Sequence, residues 1–278
     1  MLFSPAAPVG SQVCTLTVHT VLRAGNLKSE SAARWQVRKT LRHASVAGFV
    51  FDLTTLDFAQ TPAHGPDQLT ADLMALQQHL VVETDAAGRL VRVDNLPELH
   101  RQWAALRPRL HAKYRGAADI PPALIDQLGQ VLDADALPAA LARNPAFGAL
   151  LPPLYGRVYS AAEPVPGTAT VPRFVGELEL PFRTEARLMN AAPTAAVAAT
   201  VQVAGEVDED RYDAAAARRG LCALADQPNL DARVWALHHE SYVFGPRHEL
   251  VEATRHTRAE VPGVLGQQLT VLLHTRAN

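Results

Sequence analysis

The chain has 278 residues, 48% of them hydrophobic and 19% charged, with a formal net charge of −2. That is length enough for one large domain or two small ones. It offers neither the basic field that a nucleic-acid partner requires nor an acidic tail.

The opening segment, MLFSPAAPVG, lacks a basic start and a long apolar run, so it does not read as a signal peptide. No stretch reaches the roughly 18–20 apolar residues of a membrane span. The expectation is a soluble protein, cytoplasmic as written and exported if a signal peptide has been removed. Of 26 basic residues only Lys28, Lys39 and Lys113 are lysines, which reads as genomic base composition. Cys14 and Cys222 are too few for a disulfide framework or a four-cysteine zinc site. Both read as buried thiols, with a single bridge between them left open.

In chain order, the first section reads as an antiparallel meander. QVCTLTVHTVL places Cys14, Leu16 and Val18 on one face and Thr15, Thr17 and His19 on the other, the period of a half-buried strand. RWQVRKTLRH sets Trp35, Val37 and Leu41 against Gln36, Arg38, Thr40 and Arg42. VAGFVFDLTTLDF puts Phe49, Phe51 and Leu53 on one face. Gly65-Pro66-Asp67 signals a helix start, followed by Leu69, Leu73 and Leu76. HLVVETDAAGRLVRVDN predicts a hairpin around Asp85–Gly88. Asn95 then stands as the cap of a helix whose stripe is Leu99, Trp103, Leu106, Leu110 and Tyr114, with Pro108 inside it. That stripe is expected to be buried against the sheet, with Trp103 as a core anchor. Short proline-broken helices follow to Pro152-Pro153. SAAEPVPGTATVP reads as a loop or linker. Beyond it lie strand candidates at RFVGELELPF, AVAATVQVAGEV, ARVWALHHESYVF, HELVEATRHTR and GQQLTVLLHTR, with a helix in DEDRYDAAAARRGLCALAD.

These patterns predict an α+β fold: a large, mainly antiparallel sheet of about eight to eleven strands with a central helical block packed on one face. One domain over 1–278 is expected, β-rich over 11–94, helical over 97–153 and β-rich again over 171–276. The one-sided helical stripes need a sheet to cover them; the proline-rich stretch near 161–172 is the alternative boundary.

The densest cluster of reactive side chains is VWALHHESYVFGPRHEL. On a strand, His238 and Glu240 share one face and His239 the other, so the two histidines cannot bind one metal from an extended backbone. HHE is not HExxH. A site across the hairpin would use Glu240, His248 and His256, with His274 as a further candidate. The competing reading is a polar sheet face that also carries His19, Thr40, Thr200, Gln202 and Thr270. GxSxG, GxGxxG and the phosphate loop are absent, and Asp52, Asp57, Glu83 and Asp94 are scattered carboxylates. No metal and no cofactor are expected.

The order of elements, a meander, central helices and a final run SYVFGPRHELVEATRHTR...QQLTVLLH, resembles the half-barrel of bacterial lipoprotein carriers and related lipid-binding proteins. The resemblance covers most of the chain and is one of pattern. It implies a curved sheet holding helices on its concave side around an apolar cavity. The chain is expected to depart from the carriers in lacking an export signal as written, and their functional residues have no clear counterparts here, so none is transferred.

The function expected is therefore a non-enzymatic binding protein for an apolar or lipid-like small molecule held between sheet and helices. Candidate lining residues are Leu16, Val18, Phe49, Phe51, Val201, Leu269 and Val271. Two alternatives stand beside it: a structural or assembly component that docks protein partners, and a metal-assisted or acid–base hydrolase using Glu240, His248 and His256.

Overall fold

The computed structural model describes residues 2–5, 10–62, 66–132, 135–175, 178–190, 198–227 and 233–277. The strands are β1 (Leu2–Phe3), β2 (Ser11–Ala24), β3 (Leu27–Ser45), β4 (Gly48–Thr61), β5 (His79–Asp85), β6 (Leu90–Val93), β7 (Tyr159–Ser160), β8 (Val165–Val175), β9 (Leu178–Asn190), β10 (Ala199–Val207), β11 (Trp235–Phe244), β12 (Leu250–Val261) and β13 (Leu265–Ala277). The helices are α1 (Pro66–Leu73), α2 (Leu96–Lys113), α3 (Pro122–Gln130), α4 (Ala136–Arg143), α5 (Pro145–Leu150) and α6 (Ala214–Ala225), with a 3₁₀ turn at Met74–Gln77.

Eleven strands form one antiparallel sheet in the order β6-β5-β4-β3-β2-β13-β12-β11-β10-β9-β8, and β1 pairs with β7. The sheet is thus two meanders laid back to back, with the first long strand beside the last. It is open, with β6 and β8 as its edges, as the α+β reading expects. Short links explain the meanders, because antiparallel neighbours need only a tight turn between them. The first strands run longer than their alternating cores suggested: β3 extends from Leu27 to Ser45.

Two local expectations are corrected. SAAEPVPGTATVP is no linker, since Val165–Val175 is strand β8. Pro166 and Pro172 are tolerated there because β8 is an edge and one side of its backbone needs no donor. Asn95 precedes α2 but makes no capping bond through its side chain. It instead accepts from the Val81 amide at 2.9 Å and donates to the His79 carbonyl at 3.0 Å, pinning the helix start to β5. The hairpin at Asp85–Gly88 stands as expected. Gly88 has φ +94, and a Cβ there would meet the Pro152 carbonyl at 2.7 Å.

By proximity the chain divides into two compact units: Met1–Ala6, Thr17–Ala32 and Arg157–His274, and Ala7–Leu16, Ala33–Gly156 and Thr275–Asn278. In the first, called here the C-terminal unit, α6 lays Leu221 on a core of Val171, Phe174, Leu180, Phe182, Ala259 and Val261. Asp213 caps α6 by accepting from the Ala216 amide at 2.8 Å.

In the second, the N-terminal unit, α1 contacts β4 and α4 contacts β6. Leu110 of the α2 stripe is buried with Leu69 of α1, with Ile120 of the loop after α2 and with Ile125 of α3, and Trp103, Leu106 and Leu128 are half-buried around them. From Trp103 to Tyr114 the stripe expected against the sheet therefore packs on neighbouring helices, while Leu99 is buried outside that cluster. Proline-broken helices turn back on one another, and a 3.6-residue stripe does not say which apolar surface it will meet. Asp72 ties α1 to the end of α2, accepting from Lys113 at 2.7 Å and from the Tyr114 hydroxyl at 2.8 Å.

Candidate functional site

The histidine-rich stretch forms the β11–β12 hairpin of the C-terminal unit. Its turn is closed by the Gly245 amide donating to the Glu249 carbonyl at 2.8 Å. Strand alternation decides the rest. His238, Glu240 and Tyr242 are buried on one face, while His239 pairs with His256 on the other. His248 sits in the turn at φ 62, its Nδ1 3.0 Å from the Ser4 carbonyl and its ring against Phe3. His256 Nδ1 lies 3.1 Å from the Thr270 hydroxyl. The hairpin thus does not bring Glu240, His248 and His256 together. His274 faces Glu252, 3.3 Å away on a half-open surface. Among the described residues no group of three or more histidine, cysteine, aspartate and glutamate side chains is placed to hold a metal ion.

The pairing does assemble a buried polar row. Glu240 accepts from Arg255 Nε at 2.6 Å and from the Tyr242 hydroxyl at 2.7 Å, and His238 Nε2 lies 3.0 Å from it. His238 Nδ1 is 2.8 Å from the Thr257 hydroxyl. Gly205 on β10 makes room for this row, because a Cβ there would stand 3.1 Å from His238 Cβ. Burial alone would raise the Glu240 pKa, but the Arg255 charge and then the bonds from His238 and Tyr242 overcome it and hold the carboxyl well below its usual range. Hydroxyl, imidazole and carboxylate stand in the order of a nucleophilic relay. Yet Thr257 and His238 are buried and Glu240 is consumed by three neighbours, so the row acts as a satisfied structural network.

A different site lies in the N-terminal unit. The inner face of β2–β5 contributes Leu16, Val37, Leu53 and Leu80, one from each strand, and the 3₁₀ turn and α5 contribute Met74, Ala146, Phe147 and Leu150. Between them is a crevice of about 30 Å³ that opens to solvent. Trp35, Thr55, Gln77 and Phe147, all half-buried, form its rim. Trp35 Nε1 lies 3.3 Å from the Met74 sulfur. The chemistry such a surface offers is shape and apolar contact, the usual lining of a small-molecule site.

Two residues beyond Val37 on the same face of β3 stands Lys39, only 5% exposed. Its ammonium donates to the Leu150 carbonyl at 2.7 Å and lies over the Phe51 ring, 4.5 Å from the centroid. Burial lowers its pKa to about 8, and the nearby Cys14 pulls the other way. Burial in turn raises the pKa of Cys14, against the opposing pull of Lys39 and of Thr275, whose hydroxyl is 3.7 Å from its sulfur. Cys14 and Cys222 are not bridged to one another. The signal for Lys39 is present in the sequence although alternation alone does not name it as a site: Trp35, Val37, Lys39 and Leu41 occupy one parity of an alternating strand, and a lysine on the apolar parity is costly to bury.

Of the seven candidate lining residues, Leu16 lines the crevice. Phe49 and Phe51 are neighbours with ring centroids 6.0 Å apart, and Phe51 is the ring beneath Lys39. Val201 and Val271 are buried in the C-terminal unit, and Val18 and Leu269 are half-buried there. In that sheet Val201 pairs with Tyr242, and Val271 stands opposite Arg255.

No family model and no curated protein matches the chain. Among solved structures, lipovitellin, in a structure concerned with lipid–protein interactions, superposes with a TM-score of 0.50 at 9% identity, over 98% of this chain and 25% of that one. The chain thus spans about a quarter of lipovitellin's length, and the likeness is one of fold. A domain assigned to outer membrane lipoprotein sorting in Vibrio parahaemolyticus aligns over 97% of this chain and 86% of its own, at 7% identity and a TM-score of 0.24. A DUF1329 family protein from Desulfovibrio piger aligns over 96% and 86%, at 10% identity and 0.16. Scores that low carry no weight for fold or function.

Proposed function

We propose that the protein binds the apolar chain of a lipid-like small molecule in the crevice of the N-terminal unit. The observation that carries this reading is the crevice itself, in which four strands and α5 present apolar side chains to unfilled space that opens to solvent at a half-buried rim. A folded chain ordinarily closes such space, because unfilled apolar surface forfeits packing. The fold likeness to lipovitellin, a protein studied for its lipid interactions, supports the reading, as does the open sheet with helices against it, which suits the half-barrel of lipid carriers.

The crevice, about 30 Å³, is far below the roughly 300–1,000 Å³ of a formed ligand pocket. An occupant therefore enters by displacing lining side chains. Met74 and Phe147 are the ones to move, the thioether being unbranched and adaptable. The reading is of a binding protein and not a catalyst, since the acid–base groups of the histidine hairpin are engaged with one another or lie on opposite faces.

The test is native mass spectrometry of the purified full chain, followed by titration with a long-chain alkyl fluorophore. A co-purified lipid, or one equivalent of dye displaced by unlabelled lipid, is the expected result. A chain that carries no lipid and takes up no dye overturns the reading.

A further inference from the structure

We propose that the crevice takes a single-chain carboxylic acid head first, with Lys39 as the cation that receives its carboxylate. This rests on the crevice reading above and adds the ligand's class and orientation. Along β3 the inner face runs Trp35, Val37, Lys39, and along β4 it runs Thr55, Leu53, Phe51. In both, exposure falls from a half-buried rim residue to a buried one. The crevice is lined by the first two of each series, and the third pair is the lysine and the ring beneath it. Alternate residues of a strand are about 6.8 Å apart, so the ammonium stands one step past the crevice's inner wall. Leu150 joins the two, lining the crevice and offering its carbonyl to Nζ.

An ammonium has three N–H donors. Among the described residues the contacts of Lys39 are one carbonyl and one aromatic face, and none is a carboxylate. A buried cation without an anion is poorly compensated, and a carboxylate supplies the missing charge with two acceptor oxygens. The match is one charge to one. A phosphate monoester, at about −1.5 to −2, would leave a net buried anion. The titratable group facing Lys39 is Cys14, with Tyr155 beside it; burial raises both, so neither competes as an anion near neutral pH. An acyl tail from a carboxylate at Lys39 would run over Val37 and Leu53 toward Trp35 and Thr55.

Isothermal titration of the full chain with a long-chain saturated acid, its methyl ester and the matching alkyl phosphate tests this. The acid is expected to bind at least about tenfold tighter than the ester at pH 7, since a bond to a charged partner is worth that much, and also tighter than the phosphate. Lys39→Met should abolish the preference by losing acid affinity while ester affinity stays. If that variant does not fold, the pH series on the natural chain decides: the preference must shrink above about pH 8. Equal binding of acid and ester, a preference kept in Lys39→Met or flat with pH, or tighter binding of the phosphate overturns the assignment of Lys39 while leaving the crevice reading intact. Binding of none of the three overturns both.

Discussion

The ammonium of Lys39 lies over the ring of Phe51, 4.5 Å from its centroid, in the interior of the N-terminal unit. A cation–π contact desolvated in this way is worth about 2 kcal/mol, less than the cost of taking an ammonium out of water. The residue is thus a net burden on the fold, as the carboxylate proposal requires.

Lys39→Met should therefore stabilise the unliganded chain by about 1–3 kcal/mol at pH 7. The pH dependence follows from the direction of the shift. The folded pKa of about 8 lies below the usual value near 10.4, so the unfolded chain holds the proton that the folded chain releases between them. Stability then rises with pH across that window. The advantage of Lys39→Met should narrow between pH 7.5 and 9.5. Urea titrations at the two pH values check it, and a variant less stable than the natural chain at pH 7 would refute it.

Glu240→Gln should cost about 3–5 kcal/mol, because it removes the carboxylate that Arg255, His238 and Tyr242 share inside the sheet. The Glu240 carboxyl is held below its usual range, so its contribution is full above about pH 4.3 and is lost as pH falls toward the folded value. The natural chain should lose more stability than the variant between pH 5 and pH 3. Parallel acid-titration curves for the two proteins would count against the network.

Gln77 stands at the rim of the crevice and is half-buried. Gln77→Trp should fill the mouth and weaken binding of an alkyl fluorophore by about tenfold or more, while shifting Tm by no more than about 2 °C. Unchanged binding would move the ligand elsewhere.

Gly129 of α3 leaves room for Trp103, since a Cβ there would stand 2.7 Å from the indole nitrogen. Gly129→Ala should cost about 1–3 kcal/mol by overpacking. Half-buried on its helical neighbours, Trp103→Ala should cost about 2–3 kcal/mol, below the range for a fully buried indole. In the double variant the two costs should fall short of their sum. Full additivity in chemical denaturation would show that the contact carries no strain.

Period 2 and period 3.6 are local properties, and they determined most of the elements. The alternation of Cys14, Leu16 and Val18 read correctly as a half-buried face, and so did the split of His238 and Glu240 from His239. The hairpins around Asp85–Gly88 and Gly245 were legible because turn residues carry their own conformational preference. The strand in Val165–Val175 was not, because proline argues against a central strand and only the sheet's order reveals that this one is an edge. The α2 stripe declared an apolar face without declaring its partner, which the turns after Tyr114 supplied.

The site divides in the same way. The resemblance to lipid carriers implied an apolar ligand, and Leu16 and Phe51 were named as lining residues because strand alternation puts them on apolar faces. That Leu16 comes to line a crevice with Leu53 and Leu150, and that Phe51 comes to lie beneath a buried lysine, depends on contacts spanning more than a hundred positions, such as Lys39 to Leu150. No local period encodes those. The sequence by itself determined which faces are apolar, because alternation fixes side-chain direction on each strand. Only the tertiary structure decided which faces meet and which charge is enclosed between them, because burial and desolvation arise when distant segments pack.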